Sequence, residues 1–229
     1  MSKIANANSL LSILSNGKKK YTEIENILNL KSNGNLDKQL KNLIEIEVIR
    51  KVFPINKRND KKKTFYEISD NLVRFYYHYV YKNKDVIPRI GENAYFTNYI
   101  EPTIKSFISH RFEEIVREYF SRLSRKGLLK DVTDIGSYWY DIPELKKNGE
   151  FDIVLKHKKS YSLYEVNYYS NPLTEIEADK EYKQIKEIKE MPVERVGFVC
   201  LSGFSFKKRL YDLIPAEALF KIREFRIKN

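Results

Sequence analysis

Apolar residues recur at helical spacing from the start of the chain. Leu10, Leu11, Ile13 and Leu14 share one helix face, and Asn16-Gly17 stops that helix. Thr22 begins a second helix, with Glu25 three residues on as a capping box and Ile24, Ile27 and Leu28 as its inward stripe. After a turn at Ser32-Asn33-Gly34, a third helix turns Leu36, Leu40, Leu43 and Ile44 inward. It leaves Lys38, Gln39, Lys41 and Asn42 on or near its exposed face. The pattern then changes. Residues 48–53 and 64–68 are rich in β-branched and aromatic side chains and read as two strands. The polar tip between them carries Lys57, Arg58, Asn59, Lys61, Lys62 and Lys63. Asp70 is positioned to cap a helix over 71–81, and Pro88, Gly91 and Pro102 punctuate the segment after it. Helical spacing resumes through Ile104, Phe107, Ile108, Phe112, Ile115, Val116, Tyr119, Phe120 and Leu123. Beyond it the pattern predicts strands at 135–140, 151–155 and 161–167, a helix at 174–189 and a strand at 195–201. A helix at 204–213 and a short end strand around Leu219 complete the chain.

Three helices followed by a hairpin with a charged tip is the order of a winged helix-turn-helix, in which the third helix enters a major groove. The carboxy-terminal order of helix, three strands, helix and strand implies a mixed-sheet α/β layer flanked by helices. The expected class is therefore α+β followed by α/β. It divides into a winged-helix domain at 1–70, a helical connector at 71–103 and a mixed-sheet domain at 104–229. The connector's aromatics cover most of the helix circumference, which reads as a buried linking helix rather than a base-stacking stripe.

Composition sharpens this picture in one direction. The 229 residues carry a formal net charge of +11 and 42% hydrophobic side chains, with a pI of about 9.4. A basic chain of this kind attracts polyanions, nucleic acid foremost, although a Lys-rich composition alone also gives such a charge. In the winged helix, Lys and Arg of the third helix and tip would contact phosphates, and Gln39 and Asn42 could reach base edges. Cys200 lies in an apolar strand, so neither a disulfide within the chain nor a thiolate metal site is available. No apolar run approaches the roughly 18–20 residues of a membrane span. The amino-terminal stretch reads as an amphipathic helix rather than a signal peptide, and a cytoplasmic location is expected. His78, His110 and His157 lack zinc-ligand spacing. Ser202-Gly203 reads as a turn and helix cap, and Gln184 lies on a polar helix face.

The candidate chemistry lies in two acids. Asp152 interrupts the apolar run Phe151 to Leu155, and Glu165 interrupts Leu163 to Val166, thirteen residues on. An ionised carboxylate inside a buried strand is costly unless it is paired or binds a metal. The two acids could converge on one divalent cation, or each could pair with a neighbouring Lys or Arg of the sheet. An Asp followed by Glu-x-Lys is the skeleton of the PD-(D/E)xK, restriction-endonuclease-like site. Here the Lys position is Asn167.

Several stretches resemble the carboxy-terminal half of the DUF234-type archaeal and bacterial ATPases. They are ISDNLVRFYY from Ile68, Tyr81-Lys82-Asn83, RFEEIVREY from Arg111, IGSYW from Ile135, EFDIV from Glu150 and LYEVNY from Leu163. The resemblance implies a winged helix followed by a restriction-endonuclease-like domain, preceded in the family by a P-loop ATPase. This sequence has no GxxxxGK[ST]: Gly17-Lys18-Lys19-Lys20 lacks the loop and the Ser/Thr. ATP hydrolysis by this chain is not expected: it is either a stand-alone version or one whose ATPase is encoded elsewhere. The resemblance further implies Asp152 and Glu165 as carboxylates for Mg²⁺ or Mn²⁺, with Glu114 as third acid, polarising a phosphodiester and activating water. Asn167 cannot supply the positive charge of the usual Lys. The expectation is a DNA-binding or DNA-associated protein that has lost cleavage. One alternative is a metal-dependent nuclease using Glu114, Asp152 and Glu165 with a displaced basic residue, Lys156 or Lys158. Another is a docking partner of a separate ATPase.

Overall fold

The structure, a computed structural model, describes residues 6–29, 35–58, 60–188 and 191–221. The turn expected at Ser32-Asn33-Gly34, Asn59 of the tip and the end of the expected helix at Lys189 lie outside the described residues. Expected as three stretches, 1–70, 71–103 and 104–229, the chain divides into two compact units. One comprises 1–53 and 57–105; the other comprises 54–56 and 106–229.

The first unit opens with three helices, α1 (Ala7–Leu14), α2 (Tyr21–Leu28) and α3 (Asn35–Glu45). A three-stranded antiparallel sheet follows the order β1 (Lys19–Lys20), β3 (Phe65–Ile68), β2 (Ile49–Val52). Leu10, Leu14, Ile24, Leu36, Leu40, Leu43, Ile49 and Ile68 close one core between helices and sheet. The predicted order of three helices and a hairpin is observed, with β1 as an added edge strand.

The start of α2 differs from expectation. The helix begins at Tyr21, and the acid that reaches back is Glu23, whose Oε2 accepts from Lys20 N at 2.6 Å. Ile27 is 53% exposed rather than inward. In so short a helix the inward face is set by Tyr21, Ile24 and Leu28, at i, i+3 and i+7, and Ile27 falls on its flank.

Asp70 caps the next helix as predicted, its side chain accepting from Val73 N at 2.8 Å. That helix, α4 (Asn71–Phe75), continues through a π-helical stretch (Tyr76–Val80) and a 3₁₀ turn (Tyr81–Asn83). Its aromatics divide, with Tyr79 buried and Tyr76 41% exposed. Short helices α5 (Ile87–Ile90) and α6 (Glu92–Tyr95) flank Gly91 at φ 80°. A second π-helical stretch (Phe96–Ile100) then leads into α7 (Glu101–Arg125).

The second unit is built on a five-stranded mixed sheet. Strands β4 (Val132–Ile142), β5 (Lys147–His157) and β6 (Tyr161–Asn167) are antiparallel neighbours. Helix α8 (Glu175–Lys186) then returns the chain to β7 (Val193–Cys200), parallel to β6. Strand β8 (Tyr211–Pro215) adds a second parallel neighbour. Each face of the sheet has its own core. Phe112, Val116, Phe120 and Leu123 of α7 pack with Ile153, Leu155, Tyr164 and Val199 on one side. Ala178 and Ile185 of α8 pack with Val154, Leu163, Phe198 and Tyr211 on the other.

Two expectations at the carboxy-terminal end are overturned. The helix predicted at 204–213 is an irregular stretch followed by β8. Phe204 and Phe206 both pack against the α8-side core, a period of two that a helix would place on opposite faces. Backbone bonds between Leu173 and the 203–205 stretch hold this segment extended. The end strand expected around Leu219 is a 3₁₀ turn (Ala216–Phe220). Pro215 cannot extend the ladder, and Leu219 is buried beside α7.

Candidate functional site

Asp152 sits at an irregularity. Between Gly136↔Val154 and Tyr138↔Phe151, β5 has one residue more than β4, a bulge that spans Asp152 and Ile153. Such a bulge re-aims a side chain, and here it falls on the acid. It is also where β5 and β6 part, since their pairing ends at Ile153↔Tyr164. Past that fork the Asp152 carboxylate accepts a hydrogen bond from the Val166 backbone N–H, taking the place of a ladder partner. Glu165 and Asn167 alternate with Tyr164 and Val166 on β6. They therefore share the face of Leu163, which packs on the α8 side.

The electrostatics identify what surrounds the two acids. Burial raises Asp152 to about 7, and the negative charge of Glu113 adds to it; the Val166 bond pulls the value back, Glu150 raises it and Arg117 lowers it. Glu165 is raised well above the carboxylate range, first by burial and then by Asp152, Glu181 and Glu113. Glu181 is raised by burial as well, and the Asn167 amide beside it counteracts part of the shift. Asn167 is 6% exposed. Its Nδ2 and the Glu181 Oε2 are both buried without an aligned hydrogen-bond partner. Glu113, Asp152, Glu165 and Glu181 thus act on one another as like charges, with Asn167 beside Glu181 and the Arg117 guanidinium acting on Asp152.

Asp152, Glu165 and Asn167 are thus placed in one neighbourhood. Glu114 pairs with Arg111 at 3.1 Å, and its neighbour Glu113 is an acid of α7 whose charge acts on Asp152 and Glu165. Sequence reading missed Glu113, Arg117 and Glu181. A signal for each was present. Glu113 and Arg117 lie one turn apart on α7, and Glu181 falls midway between the buried Ala178 and Ile185 on the inward stripe of α8.

The donors are all carboxylate oxygens, the type a hard divalent cation takes. Their placement falls short of their type. Among the described residues, no group of three or more His, Cys, Asp or Glu side chains is gathered to hold a metal ion. Among them too, no helix is long and apolar enough to cross a membrane.

The expected nucleic-acid contacts lie in the first unit. On α3, Lys38, Lys41 and Asn42 are exposed and Gln39 is partly buried. Lys41 lies 3.8 Å from Glu45, and Asp37 engages the Tyr21 hydroxyl, whose pKa is pushed up to about 12, by burial first. A groove of about 790 Å³ beside α3 is rimmed by Asp37, Glu45 and Glu47 as well as Lys41, Arg50 and Lys51. On the hairpin, Arg58 lies over the Phe53 ring at 5.2 Å. Lys61, Lys62 and Lys63 form a 3₁₀ turn capped by Asp60, which accepts from Lys62 N at 2.8 Å. Lys57 and Lys63 are partly buried, Lys61 and Lys62 exposed. The start of the β2–β3 connection belongs to the second unit. There Ile55 packs in the core with Tyr138, and Asn56 bonds both backbone groups of Trp139, at 2.7 and 3.1 Å.

Comparison with known proteins agrees with part of this reading. An uncharacterized protein of Methanocaldococcus jannaschii is 30% identical over 132 residues, 57% of this chain; the match spans 29% of that relative's length. A solved structure of Lactococcus lactis ZitR, in mutant form, aligns with 56% of this chain and 79% of its own. Its identity is 14% and its TM-score 0.29, too low for an argument about fold. The family comparison is more informative, because it covers α7, the bulged strand, Asp152, Glu165 and Glu181. Residues 76–188 match DUF234, archaeal and bacterial proteins of unknown function, the family that the sequence itself resembles.

Proposed function

We propose that this chain is a DNA-associated protein, a winged helix joined to a restriction-endonuclease-like sheet whose acids Asp152 and Glu165 no longer support cleavage. The observation that carries the proposal is Asn167: a buried amide occupies the place where a nuclease of this type presents an ammonium. No ammonium at position 167 offsets the burial that raises Asp152, Glu165 and Glu181. The order α1, α2, α3 and a basic hairpin supports duplex binding by the first unit. Titration of labelled duplex DNA at several salt concentrations tests it. The expected result is affinity that falls steeply with salt, and no loss of supercoiled or single-stranded DNA in Mg²⁺ or Mn²⁺. Binding no tighter than to a neutral polymer would overturn the DNA reading.

A second reading is favoured by one residue. Arg117 acts on Asp152, and its Nε is buried without a partner, so it could supply the charge that Asn167 lacks. On that reading the chain is a metal-dependent nuclease, and Asp152 and Glu165 would be the carboxylates toward a divalent cation, whose chemistry there would be to polarise a phosphodiester. Cleavage that Asp152→Ala abolishes, with folding intact, would establish it. Cleavage appearing only in Asn167→Lys would instead support lost activity.

A further inference from the structure

Helix α8 divides its charges unevenly, and the division leaves its outer side basic. Ala178 and Ile185 pack into the core beneath the helix. Each of its acids is engaged. Glu177 closes the capping box with Thr174, Glu175 and Asp179 hold the Lys208 ammonium at 3.0 and 2.7 Å, and Glu181 lies beside Asn167. Glu187, just past the helix, pairs with Lys147 at 2.7 Å. The lysines are left outward. Lys180, Lys183 and Lys186 are exposed, and among the described residues no acid lies within ion-pair distance of any of them. Lys180 and Lys183 act on Glu181 and Asp179 only from beyond that distance.

Spaced three residues apart, these lysines rise about 4.5 Å each along the axis and wind slowly around the outer side. At the end of the row, Lys186 Nζ lies over the Tyr182 ring at 5.3 Å, and Tyr182 packs on Tyr211 at 5.3 Å. The segment before Tyr211 extends the basic surface. Lys208 fastens that segment to α8 through Asp179 and Glu175. Its neighbours Lys207 and Arg209 are exposed, again with no acid in ion-pair range among the described residues. Three cations of α8 and two of the fastened segment thus form one basic surface.

Like charges held together on a folded surface repel one another, and a polyanion relieves that repulsion while releasing its own counterions. A repeating row of ammonium groups suits a charge that repeats along a backbone, each lysine meeting one phosphate as a point charge. A helix that lies on a membrane sinks its apolar face into the lipid. That face of α8 is already buried against the sheet, and Ile176, 83% exposed, is the large apolar residue left on its surface. Nucleic acid is therefore favoured over a lipid surface.

We infer that the outer side of α8, with Lys207 and Arg209, is a phosphate-binding surface through which the second unit contacts a nucleic-acid backbone. This rests on the DNA-associated reading and extends the contact from the winged helix to the unit that carries Asp152 and Glu165.

The test uses the full chain and a fluorescent duplex DNA, with anisotropy measured between about 50 and 200 mM salt. Each phosphate contact contributes about 0.9 to the slope of log affinity against log salt. Lys180→Gln, Lys183→Gln and Lys186→Gln together should lower that slope by about 2–3 and weaken binding by about tenfold or more. Adding Lys207→Gln and Arg209→Gln should lower it further, while Ile176→Ala, which removes no charge, should leave it unchanged. Melting temperatures equal to wild type would show that the variants fold. Acetylation of the wild-type chain, read by mass spectrometry, gives a second measure: saturating DNA should protect Lys180, Lys183 and Lys186. If these lysines stay unprotected, or if the α8 variant keeps the full slope while Lys38→Gln with Lys41→Gln loses it, this inference is overturned and the DNA reading stands. Absence of salt-dependent binding by the wild-type chain, or binding to anionic vesicles in place of DNA, would overturn both.

Discussion

Asp152 shows how one side chain can set a property of the whole fold. Its pKa is raised from 3.8 to about 7, so between those values the folded chain holds a proton that the unfolded chain releases. The folded state binds more protons in that window, and stability falls as pH rises through it, levelling off above about 7. Glu165 is shifted in the same direction and adds to the slope. Asp152→Asn removes the titration and keeps an acceptor for the Val166 N–H. It should raise stability at pH 8 by about 4 kcal/mol and change it little at pH 4. Thermal melts of the two proteins across that range check this; parallel pH profiles would count against it. The two strand acids were legible from sequence because a charge in an apolar run is conspicuous. That Glu113 also acts on Asp152 was not, because helix spacing alone leaves adjacent residues one rotation step apart. The packing of Phe112 and Val116 against the sheet sets which face of α7 turns toward it.

Among the elements, β4 depends on a residue from far away in sequence. It is an edge strand of eleven residues, and Asn56 satisfies the amide and carbonyl of Trp139 as a neighbouring strand would. Edge strands left with open backbone groups invite pairing with other chains. Asn56→Ala should cost about 1 kcal/mol, the net worth of exposed hydrogen bonds. It should also shift the emission of Trp139, the single tryptophan, to longer wavelength. An unchanged spectrum and urea midpoint would show that the bonds contribute nothing. The strands themselves were readable from apolar alternation. The helix expected at 204–213 ignored the period-two spacing of Phe204 and Phe206, which the α8-side core takes up in an extended segment.

The molecule as a whole is divided otherwise than its linear order suggests, since Pro54–Asn56 belongs to the unit formed by 106–229. A fragment of 106–229 alone would lack Ile55, which packs against the Tyr138 side of its core. Removing a buried isoleucine of this kind costs roughly 2–5 kcal/mol, so the fragment should melt below the corresponding transition of the full chain. Differential scanning calorimetry of both proteins checks this, and equal transition temperatures would show that Ile55 is dispensable. The sequence by itself determined the run of helices and strands, the basic charge, the resemblance to DUF234 and the acids Asp152 and Glu165. All of these arise from local periodicity or from single residues out of place. The tertiary structure decided which acids act on that pair, which charges of α8 are left outward and how Ile55 and Asn56 are used. Those depend on strand register, on the bulge at Asp152 and on contacts between residues far apart in the chain.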